Sequence, residues 1–382
     1  MDLRGARLLA AVAAAMLVVF AFGILAATNA IDLPGDWKAR LGLEERVPDI
    51  PCRVGLYRKD PPSPRPLPGR WQSEPAIPRT VVEGSAAAVG QTVYTFGGSA
   101  PGNLRTVLAF DTRNRRWTQP TALPTGLNHV QAVAHEGDVY LAGGYLEGEA
   151  ATSNFWRYDP QANEWARLTP MGLPRGAAGA AAIGDRLYVA AGAPQTFGID
   201  DPPAPFRRLE VYDFGAGTWT TGPDAPFAVH HVNAAALAGK LYLAGGRVDE
   251  EASARGFARY DPATERWEEL PPLPLGPTSS SGLVAAAGKI VVIGGDEERG
   301  WEEGGGWVTP TAWAFDPAAN RWQRLPDLAV ERHALGAAVV GNRIYAIAGG
   351  PCPGLKPTGP VGTHTVESLP LSALGESPRR GP

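Results

Sequence analysis

The sequence is poor in cysteine, in charge and in catalytic signature motifs. Only Cys52 and Cys352 occur in 382 residues, which leaves room for one disulfide at most. Charged residues make up 19% of the chain and the formal net charge is −4. No basic patch is visible, so binding to nucleic acid has no electrostatic support. The chain lacks a "GxxxxGK[ST]" loop, an "HExxH" helix and a "GxSxG" elbow, which removes support for P-loop, zincin and serine-hydrolase chemistry. "GGGW" at Gly304–Trp307 has no strand–helix context for a phosphate. What is abundant is glycine (47) and proline (37), without a period of three. That mixture suits a loop-rich β protein.

The N-terminus differs from the rest. Arg4 and Arg7 precede Leu8–Ala27, an uncharged run of 20 residues. As a helix it is long enough to cross a bilayer. The preceding positive charge would hold that end in the cytoplasm and place the remainder outside, periplasmic or at the cell surface. Residues 1–30 are therefore expected to be a membrane anchor or signal segment. The span is longer than the usual signal core, which favours an uncleaved anchor over secretion after cleavage at "AATNA". Residues 31–70, with "PPSPRPLPGR", read as a proline-rich stalk. Residues 372–382 read as a disordered tail. In an exported chain, Cys52 and Cys352 are a disulfide candidate.

Between stalk and tail one unit recurs six times. A double-glycine strand appears as "TVYTFGG", "DVYLAGG", "RLYVAAG", "KLYLAGG", "KIVVIGG" and "RIYAIAGG", with successive spacings of 46, 48, 54, 49 and 55 residues. Ala191 replaces a glycine in the third copy, and the sixth reads as carrying one extra residue before its glycines. Five copies continue into an aromatic-Asp corner and a tryptophan: Trp117, Trp165, Trp219, Trp267 and Trp322. The sixth has no such tryptophan, but Trp71 stands alone 46 residues before Trp117. These motifs resemble the kelch repeat. The resemblance covers 71–371 and implies an all-β, six-bladed propeller, one four-stranded sheet per repeat. An N-terminal strand carrying Trp71 would complete the last blade, and a Cys52–Cys352 disulfide would reinforce that junction.

The strands of a blade, A to D from the axis outward, alternate in direction. The start of A, the D–A loop and the B–C loop then share one face. Aligned on the glycine of the A–B turn, His129, His231 and His333 fall eight residues earlier in copies 2, 4 and 6, implying approximate three-fold symmetry about the channel. His230 and Arg332 precede two of them, and Arg175 precedes the equivalent Gly176. Imidazoles in such a place can line a ligand site, hold zinc or copper, or exchange protons near neutral pH. Strand starts on alternate blades are far apart for metal bonds of about 2 Å, so no metal or cofactor is expected. The long spacings predict B–C loops overhanging this face in copies 3 and 5. One contains Asp200 and Asp201, which alone do not define a calcium site; the other contains Trp301 and Trp307 among Glu297, Glu298, Glu302 and Glu303. Exposed aromatics of this kind stack on sugars or anchor protein partners.

The candidate ligand-binding set is thus His129, His230, His231, His333, Arg332, Arg175, Trp301 and Trp307. The expected role is an extracytoplasmic, membrane-tethered binding module for a protein or glycan. The alternative is a sugar-active enzyme. The resemblance extends to exported sialic acid mutarotases, for which Glu83 or His231 would supply acid–base chemistry, and more distantly to galactose oxidase, whose cysteine–tyrosine crosslink matches neither cysteine here.

Overall fold

The computed structural model describes residues 71–375 apart from 101, 149, 195–203, 249–253, 275–278, 280, 298–306 and 352–361. The segment Leu8–Ala27, the stalk, both cysteines and Trp301 lie outside the described residues. No helix among the described residues is long and apolar enough to cross a membrane.

Among the described residues there are six four-stranded antiparallel sheets and one short two-stranded one. In blade 1 the strands are Ser85–Val89, Thr92–Phe96, Val107–Asp111 and Arg116–Thr118. Blades 2 to 5 repeat this order. The innermost strands are Gln131–His135, Gly179–Ile183, Asn233–Leu237, Gly282–Ala286 and, in blade 6, Gly336–Val340. Blade 6 continues through Arg343–Ile347 and Val366–Pro370, and its outermost strand is Gln72–Ser73 from the other end of the chain. The chain packs further than residue 371. Leu371–Leu374 is a 3₁₀ turn with Ala373 and Leu374 buried, so the propeller runs on into what reads in the sequence as tail.

One blade cannot bury both faces of its sheet, so apolar residues are shared between neighbours. Six hydrophobic clusters result, each spanning one junction. Ala87, Phe96 and Val107 meet Val130, Leu141 and Tyr158 between blades 1 and 2, and Phe110 and Val93 meet Tyr345 and Ile347 between blades 1 and 6. The repeat motif supplies the polar ties. Each motif tryptophan donates its indole N–H to a carbonyl of the preceding blade's D–A loop. Trp117 bonds Pro75 O at 2.9 Å, Trp219 bonds Thr169 O at 2.8 Å and Trp71 bonds Pro326 O at 2.9 Å. The second motif glycine does the reverse: Gly98 N–H donates to Leu127 O of the next blade and Gly349 N–H to Val81 O. Gly144, at φ +98°, shows why glycine is needed; a Cβ there would sit 2.8 Å from Asn128 O.

The A–B turns correct the sequence alignment. All six have two residues, but they use two conformations. Blades 2, 4 and 5 place positive φ at both positions, Glu136–Gly137, Ala238–Gly239 and Ala287–Gly288, and glycine is second. Blades 1, 3 and 6 place it only at the first, Gly90, Gly184 and Gly341. These are the type I′ and type II′ solutions to one hairpin, and they call for glycine at different positions. Aligning on that glycine therefore shifts half the blades by one residue. A similar slip affects the sixth repeat. Ala348 has φ +54° and takes the place of the first glycine, as Ala191 does at φ +62°, so blade 6 carries no extra residue there.

Candidate functional site

Among the described residues, two positions before the innermost strands of blades 1, 2, 3, 4 and 6 the backbone turns left-handed, at Glu83, His129, Ala177, His231 and Ala334, with φ between +49° and +61°. These positions link blade to blade around the axis. Glu83 N–H donates to Ala334 O, His129 N–H to Glu83 O and Ala177 N–H to His129 O, at 2.9–3.1 Å. His129 and His231 are thus true equivalents, with ring centroids 4.4 Å apart. His333 is not. It bridges to Gly350 as His230 bridges to Arg247 and Asn128 to Tyr145, one position earlier in the repeat. The expected three-fold arrangement of His129, His231 and His333 is replaced by a ring of mixed composition and a second tier on the loop side.

That second tier centres on Asp296, which is fully buried. Arg247 Nη2 donates to Asp296 Oδ2 at 2.7 Å and Arg247 Nε to Ser279 Oγ at 3.2 Å. Ser279 Oγ donates to Asp296 Oδ1, and His333 Nδ1 lies 3.2 Å from Asp296 Oδ2. Blades 4, 5 and 6 therefore converge on one carboxylate. Burial alone would raise the pKa of Asp296, but Arg247 and His333 together hold it well below the ordinary carboxylate range. For His333, burial works downward, yet the Asp296 charge and hydrogen bond outweigh it and the net shift is upward. His129 and His231 go the other way. Desolvation lowers both, and the Arg247 charge adds to it, more strongly for His231. Nδ1 of His231 and Nδ1 of His230 are 2.6 Å apart, so one of them carries a proton and the other accepts it.

The channel below these tiers holds a cavity of about 110 Å³ bordered by Glu83, His129, His231, Gln131 and Asn233. Chemically the site offers two carboxylate–imidazole pairs, Asp296–His333 and Glu83–His129, the second with Glu83 Oε1 3.7 Å from His129 Nε2. Among the described residues no group of His, Cys, Asp and Glu side chains is arranged to hold a metal ion.

A family model described as the Attractin/LZTR1 beta-propeller matches residues 93–352. The chain belongs to this family. Among curated relatives, the Attractin/LZTR1-type propeller is 28% identical to Kelch-like protein terF of Aspergillus terreus, over 83% of this chain and 72% of that protein. It is 27% identical to Kelch-like protein 35 of Mus musculus (68% of this chain, 42% of that one) and 31% identical to Kelch-like protein 34 of Homo sapiens (61% and 36%). The chain thus spans well under half the length of these animal relatives. The solved structure of YjhT covers 76% of this chain and 95% of its own at TM-score 0.65 and 17% identity, a likeness of fold.

Within this propeller the sequence-predicted residues divide. His129, His230, His231 and His333 come together on the axis, all 2–8% exposed. Arg175 and Arg332 serve the blades instead. Arg175 pairs with Glu210 and donates to Ala191 O and Arg208 O at 2.8 Å, and Arg332 pairs with Glu367 and donates to Ala346 O at 3.2 Å. Trp307 lies on a two-stranded extension of the blade 5 loop, where Trp307–Val308 pairs with Asp296–Glu297. Sequence reasoning passed over Asp296, Arg247 and Ser279. The signal was present: Asp296 and Arg247 each follow the double glycine directly, at the position that bridges back to the residue before strand A.

Proposed function

We propose that this chain is a binding module that engages a protein partner through the face bearing its B–C loops. The distribution of loop length carries the reading. A–B turns have two residues in all six blades, and C–D turns have four in blades 1 to 5. B–C connections run from 10 residues in blade 1 to 18 in blades 3, 5 and 6. One face is held constant while the other varies, which is how a rigid scaffold presents recognition loops. Kelch propellers commonly serve as protein-interaction modules, and the matches to Kelch-like proteins fit that use. A glycan bound by the loop tryptophans is the neighbouring possibility within the same proposal. A sugar-active enzyme is less well supported. The axial cavity of about 110 Å³ is small beside the roughly 300–1,000 Å³ of ordinary ligand pockets. Tethering through Leu8–Ala27, with the propeller outside the cytoplasm, belongs to the proposal and rests on the sequence.

The test is photo-crosslinking in native membranes, with the reactive group placed in turn on the blade 5 loop and on the opposite face at Arg113. A partner captured from the loop face, and lost in a Trp301→Ala, Trp307→Ala variant, supports the reading. A partner captured only from Arg113, or indifferent to the tryptophans, sinks it.

A further inference from the structure

The geometry points to the axial cavity as a binding site for a protonated, unbranched primary amine, held between Glu83 and His129. This goes beyond the loop-face reading and does not depend on it.

Proton bookkeeping carries the argument. The Tyr145 backbone carbonyl can only accept, so the group 3.1 Å from it is Asn103 Nδ2. Asn103 Oδ1 therefore faces Asn128 and accepts from its Nδ2 at 2.9 Å. Asn128 Oδ1 then faces His129 Nδ1 at 2.9 Å, and that nitrogen must carry a proton. In the neutral ring, which burial favours, His129 Nε2 presents a lone pair. It is buried, without a hydrogen-bond partner, and 3.7 Å from Glu83 Oε1. The other Glu83 oxygen accepts from Ser99 Oγ at 2.9 Å. Two acceptors thus face each other beyond hydrogen-bond distance with no donor between them. Among the described residues no lysine or arginine pairs with Glu83, and a largely buried carboxylate held by one hydroxyl is unfavourable without a compensating cation.

The surroundings choose the donor. The cavity lining is mainly polar, but its walls also include Ala86, Ala132, Ala234 and Ala337, whose small side chains leave room for a short, narrow chain rather than a branched one. Asn233, also in the lining, commits its Nδ2 to Ser281 O at 2.6 Å, so its Oδ1 is the open atom and a third acceptor. An ammonium group can donate to Glu83 Oε1 and His129 Nε2 together and keeps a third N–H for another acceptor of the lining. Arg247, the guanidinium of the axial tier among the described residues, is tied to Asp296. Entry is from the A–B turn side. The loop-side end is filled by the buried Asp296 tier, whereas the ends of the innermost strands, such as Ala88 and Val89, are partly exposed.

The full chain would be titrated with n-butylammonium chloride at pH about 8, reading melting temperature, because a ligand of the folded state raises it. A saturable rise is expected. It should weaken at least about tenfold with tert-butylammonium, whose branching the alanine walls reject, and in Glu83→Gln, an order of magnitude being about 1.4 kcal/mol. Equal rises with KCl or n-butanol, an undiminished rise in Glu83→Gln, or no rise below about 50 mM, weaker than the usual lower end of specific binding, would overturn the assignment. Nitrogen-15 spectra of the wild-type imidazoles test it without a variant. His129 should show Nδ1 protonated and Nε2 bare, and the Nε2 resonance should move as amine is added. A static Nε2 resonance, or the opposite tautomer, overturns it as well.

Discussion

Glu367→Gln removes a charge from the middle of blade 6 and leaves its partner behind. Glu367 is 1% exposed and Arg332 is fully buried. The guanidinium cannot leave for water, because it is also held by Val330 O at 3.0 Å and Ala346 O at 3.2 Å. A glutamine can still accept from Ala329 N–H, now 2.9 Å from Glu367 Oε1, but its amide nitrogen would meet the Arg332 donors. Breaking one side of a buried ion pair costs about 3–5 kcal/mol. At about 2–4 °C per kcal/mol for domains somewhat smaller than this one, the melting temperature should fall by roughly 10 °C. The control is internal. Arg175 and Glu210 repeat the arrangement in blade 3 with the same sequence separation of 35, including a backbone donor, Gly172 N, at 2.7 Å. Glu210→Gln should cost about as much, and the double variant should show the sum, since the two pairs share no contact. Denaturant melts of the three variants decide it. Losses under about 1 kcal/mol would mean that the pairs are worth no more than surface ion pairs, and the reasoning fails.

Other outcomes follow from the same geometry. Trp71→Phe should cost about 1–2 kcal/mol through the lost bond to Pro326 O, read from the shift of the denaturant midpoint. Gly144→Ala, at φ +98° and 2.8 Å from Asn128 O, should cost about 2 kcal/mol or more by the same assay. Acid should destabilise the fold below about pH 6.5, where unfolded histidines gain protons that buried His129 and His231 resist. Their contribution is present above the unfolded value and lost as pH falls towards the lowered folded one, so His231→Gln should flatten melting temperature against pH in that window. His333 has the opposite sign: its contribution is full below the unfolded value and lost as pH rises through the raised folded one, so His333→Gln should abolish a gain in melting temperature as pH falls towards about 6.5 and leave the slope below it unchanged. A reporter enzyme fused after residue 31 should be active only outside the cytoplasm if Leu8–Ala27 inserts as an anchor.

The blade frame was legible because its glycines, aromatic-Asp corners and tryptophans each answer a local steric or hydrogen-bonding need that recurs in every repeat. Asp111 Oδ1, for example, accepts from Arg113 N and Asn114 N to make the C–D turn. The axial histidines were visible as a group but not in register. Type I′ and II′ turns satisfy the same hairpin with glycine at different places, and a one-residue slip exchanged His333 with its neighbour's role. Asp296 directly precedes the acidic run of the blade 5 loop, and its charge alone does not set it apart from that run. Only the bridge between Asp296 and Ser279 shows that it belongs to the axial tier. The long blade 6 connection was hidden for another reason. Spacing between repeats measures a loop only when another repeat follows.

The strand Gln72–Ser73 has a bearing on how the chain is made. Its partners lie at the far end of the polypeptide: Trp71 bonds a residue 255 positions away, and Glu74 accepts from Ser368, 294 positions away. At about 5–20 residues per second, a ribosome would take roughly 15–60 s to deliver the missing edge. Through that interval the first blade to emerge waits with one flank unsealed, and five sheets can stack before the sixth exists. The ring is therefore completed as a single late event. Its vulnerability to proteolysis and to mispairing with a second nascent chain is concentrated before that moment rather than in the finished protein.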